Sequence, residues 1–107
     1  MIKRLVKMSF ETQHIEEFKS IFENSKHAIR GFEGCEHVEL LQDTLHSSVF
    51  FTFSIWQSEE HLNVYRNSEL FSRVWSATKK LFNDKPQAWT VKMMEFKPQL
   101  DSRSYFS

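Results

Sequence analysis

The stretch Val49-Phe50-Phe51-Thr52-Phe53-Ser54-Ile55-Trp56 carries the clearest strand signal in the chain. Its residues are almost all β-branched or aromatic, the types that fit a pleated sheet, so it predicts a strand over residues 48–57. A second strand-like run covers residues 36–43, and the polar connector from Asp43 to Ser48 is short enough for a hairpin. The middle of the chain is therefore predicted to be a pair of antiparallel strands.

A strand and a helix are predicted before this hairpin. Residues 2–10 alternate apolar and polar side chains with the period of two that is typical of a strand. In residues 13–31 apolar side chains recur every three or four positions, which predicts an amphipathic helix, and Thr12 is a candidate cap at its start. Both glycines of the chain, Gly31 and Gly34, lie where this helix is expected to end and the chain to turn.

The same two types of element are predicted after the hairpin. Ser58, with two glutamates behind it, opens a short helix. Ser68 restarts the helical pattern, which runs to about Asn83 and ends before Pro86. Residues 89–96 then supply a last strand. The resulting order predicts an α+β fold, a ferredoxin-like βαββαβ domain whose antiparallel sheet carries the helices on one face.

Length, charge and cysteine content limit the classes of protein that the chain can be. Its 107 residues suit one domain, predicted over residues 1–96, with a C-terminal tail at residues 97–107. Lys plus Arg and Asp plus Glu both number 14, so the basic stripe of a nucleic-acid-binding protein is missing. No apolar run is long enough for a signal peptide or a membrane span. The single Cys35 excludes an internal disulfide and favours a cytoplasmic location, and the scattered histidines predict no metal site.

The predicted sheet carries more large apolar side chains than one buried face needs. One face of the strand at residues 48–57 receives Val49, Phe51, Phe53 and Ile55. Phe50 and Trp56 point the opposite way, and the last strand also has apolar residues on both sides. Because the helices cover only one face, we expect the second face, to which Phe50 and Phe96 are assigned, to meet a copy of itself in a twofold homodimer. The alternative is a scatter of surface apolar residues, which is common.

Three segments carry a resemblance to a known family. They are Phe32-Glu33-Gly34-Cys35, Phe53-Ser54-Ile55-Trp56-Gln57-Ser58-Glu59-Glu60-His61-Leu62 and Ser68-Glu69-Leu70-Phe71. In this order and at these spacings the chain resembles, over residues 2–96, the antibiotic biosynthesis monooxygenase (ABM) domain of the dimeric α/β-barrel superfamily. The resemblance implies two ferredoxin-like subunits paired into a sheet-lined barrel, each with a pocket between its helices and its sheet.

The resemblance also implies an activity. Characterised members include cofactor-free oxygenases of phenols and quinols, so the implied function is a cofactor-independent monooxygenase acting on a small aromatic. The alternative is a non-catalytic relative, a small-ligand-binding or stress-associated protein. The haem-degrading branch resembles this chain in outline but carries Asn, Trp and His where this chain has Val6, Tyr65 and Trp75. Haem degradation is therefore disfavoured, and no cofactor is expected.

Candidate site residues lie in the second helical segment. His61 and Tyr65 are four positions apart and share one side of a helix. A hydroxyl and an imidazole that converge on a pocket can orient a phenolic substrate or take its proton, so both are candidate catalytic residues. Trp75, Arg66 and Phe71 are candidate pocket residues. The alternative is that Tyr65 and Trp75 pack in the core and that His61 is a solvated helix residue.

Overall fold

The computed structural model describes residues 1–94, which form a four-stranded antiparallel sheet with helices on one face. The elements are β1 (Ile2–Ser9), α1 (Ile15–Arg30), β2 (Cys35–Gln42), β3 (Val49–Trp56), α2 (Glu59–Arg66), α3 (Glu69–Lys79) and β4 (Gln87–Lys92). This order confirms the predicted ferredoxin-like βαββαβ fold, with the second helical unit divided into α2 and α3. The predicted tail at residues 97–107, and Phe96 at the end of the predicted last strand, lie outside the described residues.

The strands are arranged in the order β2-β3-β1-β4, so β1 and β3 are central. β1 pairs with β3 from Ile2 opposite Trp56 to Ser9 opposite Val49. On its other side β1 pairs with β4. In this register Arg4 of β1 lies opposite Ser54 of β3 and opposite Thr90 of β4. The side chain of Arg4 therefore emerges at the centre of the sheet.

Side-chain caps begin two of the three α-helices. The Oγ of Ser58 accepts a hydrogen bond from the backbone N–H of His61 at the start of α2, and the Oγ of Ser68 accepts one from Phe71 at the start of α3. Thr12, the predicted cap of α1, is instead part of a short 3₁₀ turn, and no side chain caps α1. None of the helices within residues 1–94 has the length and apolar character that a membrane crossing needs.

The helix α3 ends earlier than the sequence predicts. It stops at Lys79, four residues before the predicted end at Asn83. Beyond it the backbone N–H of Asn83 donates to the carbonyl of Ser9, and Phe82 forms an isolated β-bridge with Phe10. The apolar residues that extend the helical pattern therefore belong to a segment that is tied to the end of β1.

Two apolar clusters hold the helices to the sheet. The first contains Met8, Phe10, Phe18, Phe50 and Leu81, and the second contains Cys35, Trp56 and Leu62. Phe50 is 2% exposed and its ring lies 5.3 Å from that of Phe18 on α1. The prediction that Phe50 belongs to the second face of the sheet is thus wrong, because the helices cover the face to which Phe50 and Trp56 point.

The opposite side of the sheet is largely apolar, although it also carries Lys3, Lys7 and Glu39, and no described residue covers it. We call it the second sheet face, and its apolar members are Leu5, Leu41, Val49, Phe51, Phe53, Ile55, Trp89 and Val91. All four strands contribute to it. Trp89 is 42% exposed and Val91 49% exposed, and every residue of β4 is exposed. Strand alternation therefore produces two apolar faces, only one of which is buried within the chain.

Candidate functional site

A cavity of about 330 Å³ lies between the sheet and the helices and borders both apolar clusters. Strands supply Arg4, Val6 and Thr52 to its wall, and helices supply Tyr65, Phe71 and Trp75. A cavity of roughly 150 Å³ is enough for benzene. The space in this protein therefore suits a substituted single ring or a small fused ring system.

The ring of Tyr65 is fixed by other aromatic rings. It stacks on Trp56 with ring centroids 4.8 Å apart and a 27° interplanar angle. Phe32 and Phe71 each make an edge contact with it at 5.3 Å. Trp56 is fully buried, and its Nε1 donates to the Oγ of Ser54 at 2.9 Å. This packing holds the Tyr65 ring in one position at the cavity wall.

The hydroxyl of Tyr65 is suited to donate a hydrogen bond. Burial, and secondly the nearby Cys35 thiol, raise the pKa of Tyr65 to about 12, so the hydroxyl is neutral near pH 7. Two other cavity hydroxyls have partners, since Ser54 accepts from Trp56 and Thr78 donates to the carbonyl of Val74. Tyr65 lines the cavity and is partly exposed, and no partner for its hydroxyl is found within residues 1–94. It can donate to a ligand, but it is a poor base.

Helix α3 contributes a flat aromatic wall. The rings of Phe71 and Trp75 are stacked, with centroids 5.8 Å apart and an interplanar angle of 11°. Phe82 supports Trp75 from the side with an edge contact at 5.5 Å. Aromatic surfaces of this kind favour flat, electron-rich ligands because offset stacking adds to the burial of apolar area.

His61 lies outside this cavity. Its Nδ1 is 2.6 Å from the Oγ of Ser58, and its ring lies against Gly34. It borders a surface depression together with Glu33, Glu60 and Val64. Although His61 and Tyr65 occupy one side of α2, the turn at Gly34 receives the imidazole, and the two side chains do not converge on the cavity.

Two arginines line the cavity. Arg66, a predicted pocket residue, is the last residue of α2. Arg4 is not among the predicted site residues, and its Nη1 donates to the Oγ1 of Thr90 at 2.8 Å. The sequence feature that indicates Arg4 as a cavity residue is its position in β1, where strand alternation places it on the same face as Val6 and Met8. A charged residue on a face that is otherwise buried is a candidate functional residue.

Other titratable groups give no second site within the described residues. Residues 1–94 contain no group of three or more His, Cys, Asp or Glu placed to hold a metal ion. Cys35 is a buried free thiol, and burial raises its pKa above the ordinary value. A thiol of this kind has little of the thiolate that a nucleophile needs.

Comparison with known proteins identifies the family. The sequence model of the antibiotic biosynthesis monooxygenase (ABM) family matches residues 1–75, which is most of the chain. The chain belongs to the ABM family. No curated protein matches this ABM-family chain in sequence.

Solved structures share the fold of this ABM-family protein. A crystal structure of an antibiotic biosynthesis monooxygenase superposes with a TM-score of 0.83 at 14% identity, covering 89% of this chain and 100% of the other. A conserved protein from Methanosarcina mazei Go1 gives 0.83 at 14% identity, covering 87% and 92%. Rv0793 from Mycobacterium tuberculosis gives 0.81 at 10% identity, covering 91% and 98%. At these identities the likeness establishes the fold alone.

Proposed function

We propose that this ABM-family protein is a cofactor-independent monooxygenase that oxidises a small phenol or quinol in the cavity between its helices and its sheet. The observation that carries the proposal is Tyr65, a neutral phenol in the wall of an aromatic cavity of about 330 Å³. A pocket of this size and polarity, with few polar groups, is the common form of a small-molecule site.

The proposed reaction needs an ionised substrate. A phenol that loses its proton becomes electron-rich enough to reduce dioxygen directly. One oxygen atom forms a new carbonyl on the ring, which becomes a quinone, and the other leaves as water with two hydrogens from the substrate. The substrate loses four electrons and dioxygen gains four, so no further reductant is needed.

The residues of the cavity would promote this reaction by binding and by charge. Tyr65 would donate a hydrogen bond to the phenolate oxygen, and Phe71 and Trp75 would stack on the ring. The positive charge of the arginines lowers the pKa of a bound phenol, so its proton can leave to solvent without a protein base. In this proposal Tyr65 orients the substrate and does not remove its proton, and His61 has no role.

Tyr65→Phe tests the proposal. This change removes one hydrogen bond to a charged oxygen but keeps the ring that stacks on Trp56. We expect the rate of oxygen uptake with a responsive quinol to fall roughly 10- to 100-fold. The measurement is an oxygen-electrode screen of quinols and polyphenols with the wild type, followed by the variant. Circular dichroism melting serves as the folding control. Oxygen uptake that is unchanged in Tyr65→Phe would remove Tyr65 from the mechanism.

A non-catalytic small-ligand-binding or stress-associated protein of the same fold is the second candidate. It is favoured by the same neutral Tyr65, because no titratable group on the described cavity wall is a base near pH 7. Binding of quinols without oxygen uptake by the wild type would favour this candidate. In either case the free thiol of Cys35 supports a reducing, cytoplasmic location as part of the proposal.

We further propose that two copies of the chain pair through the second sheet face. All four strands present apolar side chains there, and Leu41, Trp89 and Val91 are each more than 40% exposed in the single chain. An apolar patch to which every strand contributes is unusual for a monomer. A twofold pairing would bury it against itself.

Phe53→Glu tests the dimer. Phe53 lies in β3 on the second sheet face, and Phe53→Glu would place a charge in the middle of the proposed apolar interface. We expect the wild type to sediment as a dimer at micromolar concentration and Phe53→Glu to sediment as a monomer. Val64→Glu, at a 64% exposed position of α2 on the other side of the sheet, is the matched control and should stay dimeric. A wild-type monomer at micromolar concentration would rule the dimer out.

A further inference from the structure

The charges on the cavity wall are of one sign. Arg4 and Arg66 line it, and no Asp, Glu, Lys or His does among the described residues. The ion pairs within residues 1–94 use lysines and histidines as their cations, and none includes an arginine. The hydrogen bond from Arg4 goes to a neutral hydroxyl, that of Thr90. Within residues 1–94, an apolar cavity therefore carries two positive charges and no counter-charge.

The charge of Arg66 acts on Arg4. The pKa of Arg4 lies below its ordinary value, firstly because of burial and secondly because of the positive charge of Arg66. Two like charges beside apolar walls are unfavourable in the empty protein. A ligand that supplies negative charge at this place would relieve both the desolvation and the repulsion. The arrangement is that of a binding site for an anion.

We propose that the ligand of this cavity is a hydroxyaromatic carboxylate whose carboxylate group is held by Arg4 and Arg66. The inference rests on the proposed use of the cavity as the site of phenol or quinol oxidation, and it narrows the class of substrate. A guanidinium presents parallel N–H donors that match the two oxygens of a carboxylate. One carboxylate and one phenolate together balance the two positive charges, with the phenolate oxygen left to Tyr65.

A matched pair of ligands tests the inference without turnover. The probes are 2,5-dihydroxybenzoate and its uncharged analogue 2,5-dihydroxybenzamide, titrated into the protein by calorimetry under nitrogen. We expect the wild type to bind the carboxylate roughly 10- to 100-fold more tightly than the amide, the range for a hydrogen bond to a charged group. Arg4→Gln and Arg66→Gln should each reduce this affinity ratio at least about threefold, mainly because the carboxylate binds more weakly.

Control variants separate carboxylate binding by Arg4 and Arg66 from the general effect of removing a positive charge. Arg73→Gln, on the exposed surface of α3 and outside the cavity wall, should keep the wild-type ratio. Arg66 is exposed at a helix end, so Arg66→Gln is expected to fold even if the half-buried Arg4 proves necessary for stability. Arg66→Lys should give an intermediate ratio because it keeps the charge but loses the fork of donors.

The outcomes distinguish this inference from the proposed function. A wild-type ratio below about twofold, binding of neither probe, or a ratio that survives both glutamine substitutions would overturn the inference. If one of these results overturned the inference, oxygen uptake with uncharged quinols would still leave the monooxygenase proposal in place. An arginine-dependent carboxylate preference without oxygen uptake would support the inference and count against the monooxygenase.

Discussion

Trp56→Ala is expected to lower the free energy of unfolding by about 3–5 kcal/mol, the range for deleting a fully buried large aromatic side chain. Trp56 has no exposed surface and is the largest member of the second apolar cluster. Its loss removes the platform under Tyr65 and leaves the Ser54 hydroxyl without its Trp56 partner. Because domains of this size are stable by about 5–15 kcal/mol, the variant should lose a large fraction of its stability. Urea unfolding followed by circular dichroism measures the change.

Trp56→Phe is the matched comparison for this substitution. Phenylalanine keeps an aromatic ring against Tyr65 but cannot donate to Ser54, so we expect a smaller loss of about 1–2 kcal/mol. A loss below about 1 kcal/mol for Trp56→Ala would mean that the surroundings collapse into the space and that Trp56 does not hold Tyr65 in place.

Gly34→Ala is expected to cost about 2–5 kcal/mol of unfolding free energy, for two reasons that add. The backbone of Gly34 has a φ of +88°, a conformation that costs an L-residue roughly 1–2 kcal/mol. A methyl group there would also overlap the Cβ and ring of His61, which begin at the backbone of α2 and cannot swing away freely. Overpacking of this kind costs about 1–3 kcal/mol. The shift in the urea midpoint measures the loss.

Gly31→Ala provides the control at the same corner of the fold. Gly31 has a φ of −80°, and a methyl group there would lie 3.3 Å from the carbonyl oxygen of His27. We expect its stability to stay within about 1 kcal/mol of the wild type. Equal effects of the two substitutions would show that the turn adjusts and that its left-handed conformation is not required.

The order and approximate positions of the strands and helices could be predicted from local sequence patterns. The β-branched and aromatic run Val49–Trp56 and the capping serines Ser58 and Ser68 place a strand and two helix starts to within a residue or two. The end of α3 could not be predicted from the sequence, because Leu81 and Phe82 continue the helical spacing while their backbone turns toward β1. Hydrophobic periodicity reports which residues are buried, and it does not report when the backbone stops being helical.

The residues of the cavity wall could be predicted from the sequence only in part. Phe71 and Trp75, two of the predicted pocket residues, do line the cavity, but helical spacing also joined His61 to Tyr65, and the structure separates these two side chains. That separation depends on the turn at Gly34, which lies far from His61 in sequence. Likewise Phe50 was assigned to the wrong face because both faces of β3 are apolar, and only the position of the helices distinguishes them.

The position of the cavity between two packed clusters has a consequence for engineering. Protein interiors are normally filled to the density of organic crystals, so a void of about 330 Å³ forgoes contacts that a closed core would have. Larger side chains at Val6 or Val74, which line the void, would recover those contacts and occupy the room that a ligand needs. Stabilising substitutions that leave this volume unchanged therefore have to lie outside the cavity wall.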